Sequence, residues 1–386
     1  MSSGKSSGEK DSYVWGIDVV RFCAAIGVAA FHLSWHRPDY SHACAIGWIG
    51  VQVFFVISGL VIAQSANGVA PLKFLKGRIA RLYPASWCCL ALSVIAMLLF
   101  PGVAREAGVW LSVKTEAVFW SALLLHGGFV GGAYWTLPIE IAFYGMVFGV
   151  LVAGHFRNIE VIALSMVCYS SWYIVALLAR RFQLIEGVWL DFGYGPLNMT
   201  LLRHGPYFAL GIFIWLKLRG LLSRAGFFGI VAACGLAAGE IVERSIELSL
   251  KFNPPLAWHG LAGSAFATWT IATMALFLAG KYNRLFPHNA ALRRVVRLVG
   301  LMTYPYYLLH ETVGGTTMGI LLGSGMPTPA AHIVALFVVA IFSILVVTRM
   351  ESFVRRITSR AMDSLERRYV ARSPRLQPLL NNQSML

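Results

Sequence analysis

Arg21 and His32 stand eleven residues apart in the first apolar run of the chain, a permanent cation followed by a titratable base. Eleven residues is three helical turns, so on a helix the two side chains share one face, roughly 16 Å apart along it. That distance matches the reach of an extended pantetheine arm. A coenzyme A nucleotide held by arginines could deliver its thioester to such an imidazole. Other ionisable groups also fall where an apolar run should hold none: Asp18, Glu140, the Arg203–His204 pair, and His310 with Glu311. Inside a bilayer each is expensive unless paired, so each is a candidate for function. Blander readings compete with the functional one. A lone membrane histidine is more often packed than catalytic, Asp18 and Arg21 at i, i+3 can neutralise each other, and Arg78 with Arg81 would serve as inner-face anchors.

These residues need elements to position them, and composition says which kind. Of 386 residues, 58% are apolar and only 13% charged, with a mean hydropathy of +0.67. Soluble chains carry about 25% charged residues, so a cytosolic enzyme, a disordered regulator and a secreted disulfide scaffold are excluded. Six scattered cysteines form no C-x-x-C pair and no His/Cys cluster, so they read as packing residues and no metal site is expected. Ten segments are long and apolar enough to span a bilayer: 15–35, 46–66, 83–100, 134–153, 159–178, 197–217, 225–242, 260–280, 297–321 and 330–348. The stretch 117–133, broken by His126 and four glycines, reads as a re-entrant or interfacial piece of an outer loop. The polar start followed by a full-length apolar run reads as a first span rather than a cleaved leader, and its GKSS only mimics the end of a phosphate loop.

Placing each Lys and Arg on this scheme gives 23 on the side of the N-terminus and 7 on the other, with Arg21 and Arg203 within spans. The positive-inside rule then sets both termini in the cytoplasm. It also explains the net charge of +15 without nucleic acid as a partner. The expected fold class is therefore all-α, a polytopic helical bundle of about ten transmembrane helices. It divides into a polar N-terminus (1–14), a membrane domain (15–348) and a basic tail (349–386). That tail is too charged to bury a core and should lie as an interfacial helix along the anionic inner leaflet. No internal repeat of the transporter kind is evident.

Several runs in these spans resemble the acyltransferase-3 family of integral membrane acyltransferases. GIDVVRFCAAIGVAAFH is similar to its first-span R-x10-H pattern through Arg21 and His32, and GVQVFFVISGLVI to its FFVISGF stretch, with Ser58 and Gly59 in place and Leu60 for the usual Phe. RIARLYP matches its RxxR segment through Arg78 and Arg81. WTLPIEIAFY matches W-S-L-x-x-E through Trp135 and Glu140, with Thr136 for Ser, and TYPYYLLH resembles its Tyr-Pro-His span from Thr303 to His310. The matches run in the family's order from the first span to the ninth. The resemblance implies transfer of an acyl group, commonly acetyl from acetyl-coenzyme A, to a hydroxyl of a saccharide. It implies no permanently bound cofactor and a stand-alone form in a bacterial inner membrane. The acceptor would be a cell-surface glycan or an exopolysaccharide such as cellulose, with a polysaccharide synthase complex and membrane lipids as further partners.

Such a reaction needs a base close to the attacking hydroxyl and donors for the oxyanion formed from the thioester. His32 is the candidate base, because imidazole titrates in the useful range. Glu140 or His310 would orient it or complete proton transfer, and an acyl-histidine intermediate stays open beside direct transfer. Arg78 and Arg81 would hold the nucleotide phosphates, with Arg21 at the mouth of the tunnel, and Ser58, Tyr304 or Tyr307 would supply the oxyanion donor. Rival classes have weaker marks. HGGFVGG at His126 imitates an esterase oxyanion loop, but no G-x-S-x-G occurs, and His310-Glu311 begins a zinc-protease motif whose second His is replaced by Gly314. The strongest rival is a proton-coupled transporter of a polysaccharide precursor or small metabolite, in which the buried His and Glu groups relay protons.

Overall fold

An apolar segment in hydrocarbon must satisfy its own backbone hydrogen bonds, which for a single run of about 20 residues means a helix. The computed structural model describes residues 13–35, 37, 40–106, 115–125, 127–185, 196–252, 254–287, 289–370, 373–374 and 376–381. Among the described residues there is no strand, and the helices are α1 (Trp15–Ser34), α2 (Gly50–Ala66), α3 (Pro71–Leu99), α4 (Pro101–Glu106), α5 (Thr115–Leu123), α6 (Thr136–Val152), α7 (Ile159–Arg181), α8 (Leu201–Leu218), α9 (Arg224–Ser249), α10 (Trp258–Lys281), α11 (Ala290–Leu309), α12 (Gly315–Gly323), α13 (Thr328–Leu345) and α14 (Glu351–Leu365). A 3-10 turn, Gly132–Trp135, leads into α6, and a widened π-turn, His310–Gly314, joins α11 to α12.

The protein is a multi-pass membrane bundle. Eight helical runs are long and apolar enough to cross a bilayer, two fewer than the ten expected from sequence. The remaining two segments are helices that carry too much charge to count on apolarity alone: α8 holds Arg203 and Lys217, and α11 opens with Arg293, Arg294 and Arg297. For α8 the explanation is position. Every residue from Arg203 to Leu216 is buried, because α2, α7 and α9 pack around it and shield it from lipid. The α2–α8 contact is close enough to require glycine on both sides: a Cβ on Gly59 would fall 2.1 Å from the Phe208 carbonyl oxygen, and one on Gly211 2.2 Å from that of Val56.

Charge also hid the true ends of two helices. The third span was expected to begin at 83, yet α3 starts at Pro71, so Lys73, Lys76, Arg78 and Arg81 all sit on helix. Proline at the first helical position loses only a donor that would have been unpaired anyway. In the same way α9 continues to Ser249 rather than ending near 242, which brings Glu243 and Glu247 onto the bundle.

The stretch 117–133 turns back on itself. Its helix, α5, has nine residues, about 13 Å, too short to cross. It leans on α3, where Trp87 Nε1 donates to the Ala122 carbonyl (2.9 Å) and Tyr83 Oη to that of Leu123 (3.0 Å). The chain then reverses at Leu124 (φ 56°) and returns to the interior, where Val130 and Ala133 are fully buried. His126, part of the esterase-like run, lies outside the described residues. Beyond α13 the basic tail forms α14, which docks on α3 through Lys76 Nζ, bonded to Asp363 and to Glu366 Oε2 (2.6 Å).

Candidate active site

His32, on the last turn of α1, meets the two residues that open the π-turn. Its Nδ1 hydrogen-bonds the Glu311 carboxylate, and His310 Nε2 lies 3.3 Å from the same Nδ1. The His310 ring is itself anchored, with its Nδ1 bonded to the Tyr307 carbonyl. A carbonyl can only accept, so His310 carries its proton on Nδ1 and presents a lone pair at Nε2. The proton between the two rings therefore belongs to His32 Nδ1, which donates to Glu311 and leans toward His310. His32 Nε2 is left as the basic nitrogen.

Glu311 is held from its other side. Its Oε2 accepts the Ala133 N–H at 3.1 Å, and a Cβ on Gly132 would lie 2.6 Å from that oxygen, so glycine is what lets the 3-10 turn close over the carboxylate. Thr312 Oγ1 and Ser93 Oγ, 2.7 Å apart, tie the π-turn to α3. Neighbours on a regular helix point about 100° apart, and the wider π-turn reduces that angle, so His310 and Glu311 both reach one imidazole. The ligand-bearing atoms of His32, His310 and Glu311 all lie within 4.8 Å of one another, a spacing a cation could use. The hydrogen bonds just described already account for each of them.

The other residues expected from sequence gather elsewhere. Arg21, Ser58, Arg78, Arg81, Glu140 and Tyr304 line one inner cavity of about 120 Å³ that His32 does not border. Glu140 was expected beside His32; it instead accepts from Ser58 Oγ (3.0 Å) and from Tyr144 Oη. The reason is where α6 begins: the Ala133 N–H already bonds Glu311, so the Gly132–Trp135 turn is level with the histidine pair and Glu140, seven residues on, lies about 10 Å further along. Glu140 thereby fixes Tyr144, whose ring lies 5.9 Å from the Arg78 guanidinium, with Phe74 at 5.6 Å. Arg21 Nη1 bonds Asp18 (3.1 Å), so the i, i+3 pair does form. Tyr307 Oη receives the Thr136 hydroxyl (3.2 Å).

Two further cavities adjoin this one. A basic cavity of about 390 Å³ shares Arg21, Arg78 and Arg81 with it and adds Tyr13, Asp18 and Arg355. On the opposite side Val51 is common to the inner cavity and to a histidine cavity of about 350 Å³. His32 opens onto this last space, among Trp48, Phe129 and Trp135 and a set of buried charges. There Arg203 Nε bonds Glu240 Oε1 (2.8 Å) and its Nη1 bonds Glu247 (3.3 Å). Tyr207 Oη and Arg244 close the network on the same two acids, each at 2.8 Å. The Arg203–His204 pair, unexplained in the sequence, belongs here. Glu240, Glu243 and Glu247 were missed, although their spacing of three and four residues is that of one helical face. Glu311 was missed as the partner of His32.

The model of the family described as Acyltransferase domain matches residues 14–349. A protein of Komagataeibacter xylinus described as a membrane-bound transacylase, BcsY, is 27% identical over 252 residues, covering 62% of this chain and 60% of its own. An O-acetyl transferase of Shigella phage Sf6 is 27% identical over 184 residues (42% and 53%). The exopolysaccharide production protein ExoZ of Rhizobium meliloti (strain 1021) is 31% identical over 117 residues (28% and 36%). The chain thus spans between about a third and three fifths of the length of these relatives. No solved structure matches it.

Proposed function

We infer the activity from one premise: the chain belongs to the acyltransferase family. The protein is an O-acyltransferase that moves an acyl group, acetyl in the first instance, from acyl-coenzyme A to a hydroxyl of a saccharide. The observation that carries this reading is the series of adjoining cavities, from a mouth rich in arginine, through an inner space, to His32. Coenzyme A suits such a series. Its phosphates pair with guanidinium groups, its pantetheine arm fits a narrow passage, and its thioester arrives at a base.

In the transfer, His32 Nε2 takes the proton of the acceptor hydroxyl while that oxygen attacks the thioester carbonyl. Glu311, bonded to Nδ1, stabilises the imidazolium that forms, as the acid of a Ser-His-Asp triad does. The C–O bond is made and the C–S bond breaks, and the thiolate leaves with the proton returned by His32. The acyl donor is a substrate, and no resident cofactor is required. Aromatic rings and a hydrogen-bonded charge network around the histidine cavity suit a sugar, which offers C–H faces to the rings and hydroxyls to the polar groups. An exopolysaccharide, with cellulose among the candidates, is the acceptor we favour, in line with the wording of the ExoZ name. The basic cavity faces the cytoplasm of a bacterial inner membrane and both termini lie on that side. His32, Glu140 and His310 remain the proposed catalytic set, with Glu140 acting through the donor rather than on His32.

The experiment is a proteoliposome given acetyl-coenzyme A only at the basic face and a neutral oligosaccharide only at the other. Thiol release on one side should be matched by ester on the other, and His32→Ala should lower both by at least about 100-fold while the protein stays folded. Movement of saccharide without thiol release would establish the transporter instead.

A further inference from the structure

The basic cavity has one wall that comes from the tail. Arg355 lies on α14, beyond the matched domain, yet it lines the same space as Arg21, Arg78 and Arg81. Four guanidinium groups meet there, against Asp18 on the wall and Glu351, which bonds Arg355 Nη2. The excess is two positive charges. The Nε atoms of Arg78 and Arg355 are both buried and have no hydrogen-bond partner among the described residues. Such an N–H has given up its hydration without a protein acceptor, while the Arg355 side chain as a whole stays 43% exposed, so an anion entering this space would meet unsatisfied donors. Position is not left to chance, since Lys76 pins α14 to α3 at Asp363 and Glu366.

We propose that α14 completes the phosphate site of the donor, with Arg355 acting as a fourth arginine on the nucleotide end of coenzyme A. This rests on the acyl-coenzyme A reading above. The chemistry fits a ligand with more than one phosphate group. The nucleotide of coenzyme A carries a diphosphate and a separate 3′-phosphate, too many oxygens for Arg78 and Arg81 alone. The tail is therefore part of the binding site rather than a passive membrane anchor. The same chemistry would suit a phospholipid headgroup, so the test separates the two sources.

Coenzyme A, 3′-dephospho-coenzyme A and vesicles with or without phosphatidylglycerol are titrated by calorimetry against the full chain in neutral detergent. Three proteins are compared: the parent, Arg355→Gln and Arg360→Gln, the last an exposed arginine on the same helix. Arg355→Gln should weaken coenzyme A about 10-fold, the loss expected for charge-assisted bonds to one phosphate, and Arg360→Gln should leave it unchanged. In steady state the Arg355 variant should raise KM with kcat little altered. Equal affinity in the parent and Arg355→Gln, or equal losses in both variants, overturns the assignment of Arg355 while leaving the acyltransferase in place. An effect seen only with phosphatidylglycerol vesicles also overturns it, assigning the arginine to the leaflet. No binding of coenzyme A to the parent would bring down the donor reading itself.

Discussion

One acid, Glu311, meets His32 and another, Glu140, was expected there, and the residues around each separate their roles. Glu311 touches the imidazole, whereas Glu140 touches Ser58 and Tyr144 and through them the arginine that would hold the donor. Glu311→Gln keeps the shape but removes the charge that favours the imidazolium and the tautomer with Nε2 free. It should lower kcat by at least about 100-fold with little change in KM for acyl-coenzyme A. Glu140→Gln should chiefly raise that KM. Steady-state kinetics of the two variants decide the matter, and a reversed pattern would exchange the two roles. His32 and His310 were legible in the sequence because an imidazole in an apolar run stands out. Glu311 stood out equally as an ionisable group in a span, but it was given no role beside His32. Its partnership with His32 depends on a π-turn and on a glycine turn 178 residues away in the chain, at Ala133, and no local pattern carries that information.

At the scale of helices, the charged residues that hid element boundaries are the ones that join elements. The span pattern revealed every crossing that is apolar along its length. It ended α9 near 242 because acids follow, and it began the third span near 83 because lysines and arginines precede. Yet Glu240 and Glu247 bind Arg203 on α8, Glu243 takes Arg181 of α7 in a bidentate pair (2.6 Å at the shorter contact), and Lys76 holds α14. Arg203 and Glu240 are both almost wholly buried, 4% and 1% exposed, so removing one partner strands the other. Breaking such a pair costs about 3–5 kcal/mol, and Glu247 offsets part of it here. Glu240→Leu should therefore destabilise the protein by about 3 kcal/mol, read as a lower unfolding midpoint in detergent. A midpoint equal to that of the parent would mean that the network adds nothing to stability and serves the cavity alone.

Across the whole molecule, composition was enough to establish a helical membrane bundle, and motif order enough to establish the family. The passage through it was not legible, because cavities arise from packing between helices distant in sequence. One residue of that passage has a consequence for chemistry. Among the described lining residues, Val51 alone borders both the inner cavity and the space around His32. The alkyl chain of a thioester leads its carbonyl past this shared residue on the way to the imidazole, so Val51 is proposed as a ruler for acyl length. Crowding one methylene against a packed wall is worth about 1–3 kcal/mol, a preference of 10-fold or more for the shorter group. Acetyl should be favoured over butanoyl in a competition between the two thioesters, and Val51→Ala should shift that ratio by about 10-fold toward butanoyl. An unchanged ratio would move the ruler elsewhere. If the shift appears, a difference of two methyl groups on α2 selects which ester the proposed acceptor receives, while the proposed base and donor site keep their residues.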